Sequence, residues 1–158
     1  MLLPIYEYQA VNAFFAGAET EYHQRLPWKV GPGFFEVDGK IDFVRGLIFT
    51  DTTTSLPRIT PIRETLGITY RVPWALAEAE LQRSEKQLMT APGELPTDAY
   101  TLLNVGIEVP LEISVVNLRL LARLNNVFDA EARNHVSVLK DRAPLPGRNF
   151  IVGLQGQL

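Results

Sequence analysis

Seven stretches of this 158-residue chain alternate apolar and polar residues, and a period of two is the mark of a strand with two chemically different faces. In Val11 to Leu26 the even positions Phe14, Ala16, Ala18 and Tyr22 oppose Glu19, Glu21, His23 and Arg25. Phe34 to Leu47 sets Phe35, Val37, Ile41 and Phe43 against Glu36, Asp38, Lys40 and Asp42, and Ile62 to Val72 sets Ile62, Leu66, Ile68 and Tyr70 against Arg63, Thr65, Thr69 and Arg71. The pattern recurs around Ala77, around Val105, from Val116 to Leu124 and from Phe150 to Leu158. "WALAEAELQRSEK" contains good helix formers, yet its Glu78, Glu80 and Gln82 fit a period of two better than 3.6.

The links between these stretches alternate in length. Short ones at "LPWKVGPG", "RVPWA" and "VPLEI" take turns with long ones at "TDTTTSLPRITP", "SEKQLMTAPGELPTD" and "NNVFDAEARNHVSVLKDRAPLPGR". Successive antiparallel strands reverse direction, so every short link falls on one edge of the sheet and every long one on the other. The expected fold is therefore all-β: an antiparallel up-and-down meander of about seven strands, with no crossovers between non-neighbours. Exceptions to the alternation carry information too. Arg45, Glu64 and Arg83 are charged positions on the otherwise apolar face, and each lies next to a long link. If that face meets lipid, this rim is where a charge costs least, about 0 to 1 kcal/mol against roughly 2 to 4 for a basic residue at mid-depth. Tyr22, Trp28, Tyr70 and Trp74 are expected around the short turns, as an interfacial aromatic girdle would be.

Composition narrows the class. With 46% hydrophobic and 21% charged residues the chain is ordered, and a net charge of -3 gives no footprint for nucleic acid. No cysteine is present, which excludes disulfide scaffolds, thiol catalysis and cysteine-ligated zinc. Met1-Leu2-Leu3-Pro4 lacks the pattern of a secretory signal, and no stretch approaches the roughly 18 apolar residues of a membrane helix. A membrane β-barrel, whose strands need only about 9 to 11 alternating residues, stays compatible with all of this. So does a soluble β-barrel or sandwich binding a small ligand or a partner protein, in which the apolar face would point inward.

One resemblance bears on that choice. "NLRLLARLNNVFDAEARNHVSVLKDRAPLPGRNFIVGL" closely resembles the C-terminal end of TonB-dependent outer-membrane receptors, and "LPIYEYQAVNAFFAGAE", "LPRITPIR" and "PTDAYTLLN" resemble segments of the same family in the same order. The likeness is loosely greatest to the branch that takes up zinc and other metals. It implies that residues 1–158 are the C-terminal segment of such a barrel in the outer membrane of a Gram-negative cell, with active uptake of a scarce metal or metal chelate as the function of the whole. It implies membrane lipid, the plug domain, the remaining barrel strands and, through the plug, TonB as partners; no catalysis, cofactor or nucleic acid is expected. The family's barrel has about 22 strands around a plugged lumen. Seven strands cannot form that pore, so the sequence reads as a fragment, a split gene or a derived sequence. Leu158 stands where the family ends on an aromatic residue, and its parity keeps it on the apolar face.

The candidate site is the last long link. Arg133, Asn134, His135, Lys140, Asp141 and Arg148 are candidate ligand-binding residues of an outward-facing loop, and His135 with Asp141, near Asp129 and Glu131, supplies nitrogen and oxygen donors of the kind that hold a divalent cation. The plainer expectation for these residues, with Asn149, is that they satisfy loop backbone and pack the loop over the barrel mouth. His23 with Glu19 and Glu21 reads as part of a charged row facing a lumen.

Overall fold

The computed structural model describes residues 10–49, 53–113 and 116–157. Eight strands make one sheet: β1 (Asn12–Val30), β2 (Gly33–Phe49), β3 (Thr53–Ser55), β4 (Arg63–Val72), β5 (Ala75–Ser84), β6 (Tyr100–Ile113), β7 (Val116–Asn125) and β8 (Asn149–Gln157). The spatial order is β1-β2-β4-β5-β6-β7-β8, with every pairing antiparallel and β3 attached to the outer part of β2. The predicted all-β meander is thus the fold, and the sheet is open, since β1 and β8 lie at its two ends.

Register settles the faces, because residues directly opposite in an antiparallel pair share a side. One row crosses all seven long strands as Gln24, Val37, Ile68, Ala79, Val105, Leu124 and Phe150. On the other side, Arg25, Glu36, Thr69, Glu78, Gly106, Arg123 and Ile151 form the corresponding row. The expected apolar set, Phe14, Ile41, Ile68, Ala77, Val105, Leu120 and Val152, shares one face, and Asp38, Thr69, Glu80, Asn104 and Arg119 share the other.

Neither face is covered by a second layer among the described residues. Ala132 is the one hydrophobic side chain counted as buried, whereas Ile41, Leu66, Ile107, Leu120, Phe150 and Leu154 of the apolar face are all exposed. Glu64 and Arg83 stand opposite each other at the end of this face nearest the long links, and Arg45 lies further out on β2, so the charged exceptions do gather at one rim.

The short links lie at the other edge. Gly31 and Pro32 join β1 to β2, with Gly31 at a φ of 58°, the positive value that a primed hairpin turn needs at its first central position. Pro73 and Trp74 join β4 to β5, and Trp28 and Trp74 are exposed near these turns. The pairing of β1 with β2 shifts between Arg25 and Lys29, where Pro27 offers no amide donor.

Three details depart from the sequence reading. "VPLEI" is strand, not link: Pro110 pairs with Arg119 inside β6, just past Glu108, the last residue of β6 paired to β5, so its missing donor leaves no ladder bond to β5 unmade. Residues 114–115, between β6 and β7, lie outside the described residues, as do Leu158 and residues 1–9 of the N-terminal likeness. Tyr22 does not flank a short turn; it shares a row with Leu66, Leu81 and Leu103, toward the long-link ends of β4, β5 and β6. The first long link also contains β3, too short to show as an alternating stretch.

Candidate functional site

The polar face is a lattice of opposite charges held at cross-strand spacing. Lys40 reaches Glu19 at 2.5 Å and Glu21 at 2.7 Å, His23 meets Asp38 at 2.6 Å, Arg63 is bidentate to Asp42, and Arg71 pairs with Glu36 at 3.2 Å. Toward β8, Arg119 meets Glu108 at 3.3 Å, while Arg123 lies 3.7 Å from Glu78 and 3.8 Å from Glu80. Gly106 makes room for this group, because a Cβ there would stand 2.8 Å from a Glu78 carboxylate oxygen. His23, Glu19 and Glu21 are accordingly divided between two partners, Asp38 and Lys40, as members of a charged row.

Where the long links leave the sheet, they are tied to one another through Glu94. Its Oε1 accepts the backbone N–H of Arg58 at 3.0 Å, from the β3–β4 link, and the Lys140 ammonium at 2.9 Å, from the β7–β8 link. Its Oε2 accepts the N–H of Ala91 at 3.0 Å, closing the local turn in which Gly93 adopts a φ of 80°. His135 Nε2 lies 3.2 Å from the same Oε1, and His135 Nδ1 lies 2.9 Å from the Thr97 hydroxyl. The ring thus lies between a carboxylate on the Nε2 side and a hydroxyl on the Nδ1 side that can either donate or accept. Lys140 Nζ is 3.4 Å from both ring nitrogens. Burial pushes the Glu94 carboxyl up, but the Lys140 ammonium and the Ala91 and Arg58 amides outweigh it and hold the group below its usual range. Burial, then the Lys140 charge, hold His135 below the usual imidazole value against the opposing pull of Glu94 and Asp141.

Other bonds extend the knot. Gln87 exchanges backbone bonds with Thr97 and donates from its side chain to Ile59 O at 3.0 Å. Asn126, at a φ of 49°, donates to Ala130 O and Pro146 O, accepts from Ala130 N and takes its own N–H to Asn104. Leu56 and Ile59 fold onto Gly46, where any side chain would collide with them.

The structure brings three of the six candidate ligand residues, Arg133, His135 and Lys140, together in the knot and sets Asn134, Asp141 and Arg148 apart from it. Arg133 donates to Lys140 O at 2.6 Å and pairs with Glu131; Asn134 accepts from Val136 N; the Arg148 amide is capped by Asp129; and Asn149 donates to Gly147 O. His135 and Lys140 are buried together, 2% and 5% exposed, while Asp141 faces outward beside a cleft of about 300 Å³ between the links. No three His, Asp and Glu side chains converge as a metal site among the described residues, and a lysine ammonium already occupies the cationic position beside Glu94 and His135. Backbone satisfaction and packing, the plainer expectation, describes what Arg133, Asn134 and Asn149 do.

Glu94, Thr97, Gln87 and Asn126 carry the knot and were not singled out from the sequence. Glu94 sits after Pro92-Gly93 in a turn-forming stretch, which signals a loop but not a partner 46 positions away. No family model matches the chain, and no curated protein matches it.

Proposed function

We propose that this chain is part of the wall of an outer-membrane β-barrel of the TonB-dependent receptor kind, serving uptake of a scarce metal or metal chelate without chemistry of its own. The observation that carries the reading is the uncovered apolar face, continuous over seven strands and free of charge except at one rim, backed by a face of paired charges. Water would expose that area at a large cost in hydrophobic free energy; lipid would not. β4, β5, β7 and β8 have 10, 10, 10 and 9 residues, the length of a tilted strand crossing a bilayer. The paired charges suit a wet lumen, where the plug of such a receptor would sit, and the long links suit the outer side. The resemblance in the β7–β8 region supplies the family; the alternation supplies only the barrel.

The test uses the two tryptophans. Refolded with phosphatidylcholine vesicles, the chain should acquire β signal, and lipids brominated near the headgroup should quench Trp28 and Trp74 more than lipids brominated near the chain end. A chain that stays monodisperse in water, with no quenching by either lipid, would overturn the membrane reading in favour of a soluble sheet.

A further inference from the structure

The knot at the rim contains a titratable group with no part in spanning or lining the sheet. His135 is almost wholly enclosed, with its Nε2 on Glu94 and its Nδ1 on Thr97, both in the β5–β6 link, and the ammonium of Lys140 3.4 Å from each ring nitrogen. We propose that His135 is an acid-sensitive latch: a second proton sets an imidazolium against the Lys140 ammonium inside the knot and releases the β7–β8 link from the β5–β6 link.

Every charged group facing the ring enters the balance. From the β5–β6 link there is Glu94 alone; from the same link as His135 there are Lys140 and the outward-facing Asp141; the β3–β4 link contributes the uncharged Arg58 amide to Glu94. Glu94 Oε1 already receives Lys140, His135 and that amide, so a new positive charge finds no additional acceptor on it. Thr97 can donate or accept and keep its bond, so the unfavourable change is the burial of the new charge and then its contact with the Lys140 ammonium, which together outweigh its attraction to Glu94 and Asp141. The docked ring holds protons less tightly than a free one. Docking is therefore complete above the free imidazole value of about 6.5 and declines as pH falls through it, by about tenfold in the docked-to-released ratio per pH unit until the docked ring itself titrates. Glu94 is held below its usual range, so it remains a carboxylate at about pH 5 and does not open the knot by its own protonation.

The chain has no cysteine, so a Leu95→Cys, Val138→Cys pair at two exposed sites lining the same cleft can carry spin labels without background. In detergent, the label distance should be short and narrow at about pH 8 and longer and broad at about pH 5, with unchanged far-ultraviolet circular dichroism. In the labelled pair, His135→Gln, which can still donate to Glu94 and accept from Thr97, should stay short at both values. Lys140→Met removes the opposing charge together with its bond to Glu94, so its label distance, whatever its value at about pH 8, should not lengthen at about pH 5, a check that does not depend on the glutamine variant folding. A parent distance that is the same at both values, or release of either variant at the parent midpoint, would overturn the latch. The measurement does not depend on the membrane reading.

Discussion

The wall and the rim of this molecule invert the usual distribution of polarity, each in its own way. In the wall, large apolar side chains such as Phe14, Leu66 and Leu154 are exposed, and each long strand pairs with the long strands before and after it in the chain. At the rim the buried side chains, Pro61 and Ala132 apart, are polar: Ser84, Gln87, Thr97, Asn126, His135 and Lys140. The wall is assembled from many small, similar contacts repeated by register. The rim concentrates its cohesion in a few hydrogen-bonded groups, each of which would be left unsatisfied if a partner were lost. Damage to the two regions should therefore differ in size and in reach.

The largest effect should come from Glu94→Ala. It leaves the Lys140 ammonium buried without its counter-charge and two backbone amides without acceptors, a loss of about 3 to 5 kcal/mol for docking of the links. Hydrogen exchange should accelerate across residues 85–99 and 132–143 while β4 to β7 stay protected; uniform acceleration would show that wall and rim are one cooperative unit. Next in size is a position test of the apolar face. Val105→Arg lies mid-wall and should destabilise the vesicle-folded chain by roughly 2 to 4 kcal/mol, whereas Thr101→Arg, in the row of Glu64 and Arg83, should cost about 0 to 1. Equal costs in urea titrations on vesicles would mean that the face does not sense depth. Asn126→Ala should follow, at about 2 kcal/mol, by removing both the bonds and the residue type that tolerates a φ of 49°. The smallest effect belongs to the polar face: Arg123→Gln, whose partners lie 3.7 and 3.8 Å away, should change stability by about 0.5 kcal/mol or less, and high salt should erase the difference.

The same contrast explains what could be read from the residues alone. Val37, Ile68, Ala79 and Val105 announce their common face because alternation is local and register transmits it from one neighbour to the next. The rim charges Arg45, Glu64 and Arg83 were visible as breaks in that pattern. Tyr22 was misplaced because β1 runs past the end of its alternating stretch to Val30, so distance from the turn was underestimated. His135 was legible as a donor in a loop but not as a buried one, since its burial depends on Thr97, 38 positions earlier, and on Glu94. Nothing within the span of one link indicates which other link it will meet. For the same reason His135 and Asp141 read alike as loop donors in the sequence, whereas in the fold one is buried beside Lys140 and the other is exposed.

The count of long strands has an arithmetic consequence. Six antiparallel steps separate β1 from β8, so the two boundary strands run in the same direction. A cylinder whose neighbours are all antiparallel contains an even number of strands, so a barrel that included this sheet with antiparallel seams would need an odd number of further strands. Identical copies standing the same way up would meet β8 against β1 in parallel, and only copies turned end over end would avoid it. The two boundaries are guarded unequally: β8 contains no ionisable side chain, where edge strands commonly carry lysine, whereas β1 is bare only from Asn12 to Ala18 and carries Glu19, Glu21, His23, Arg25 and Lys29 beyond. The β8 seam is therefore the less guarded of the two, and directionality limits which strand each can accept.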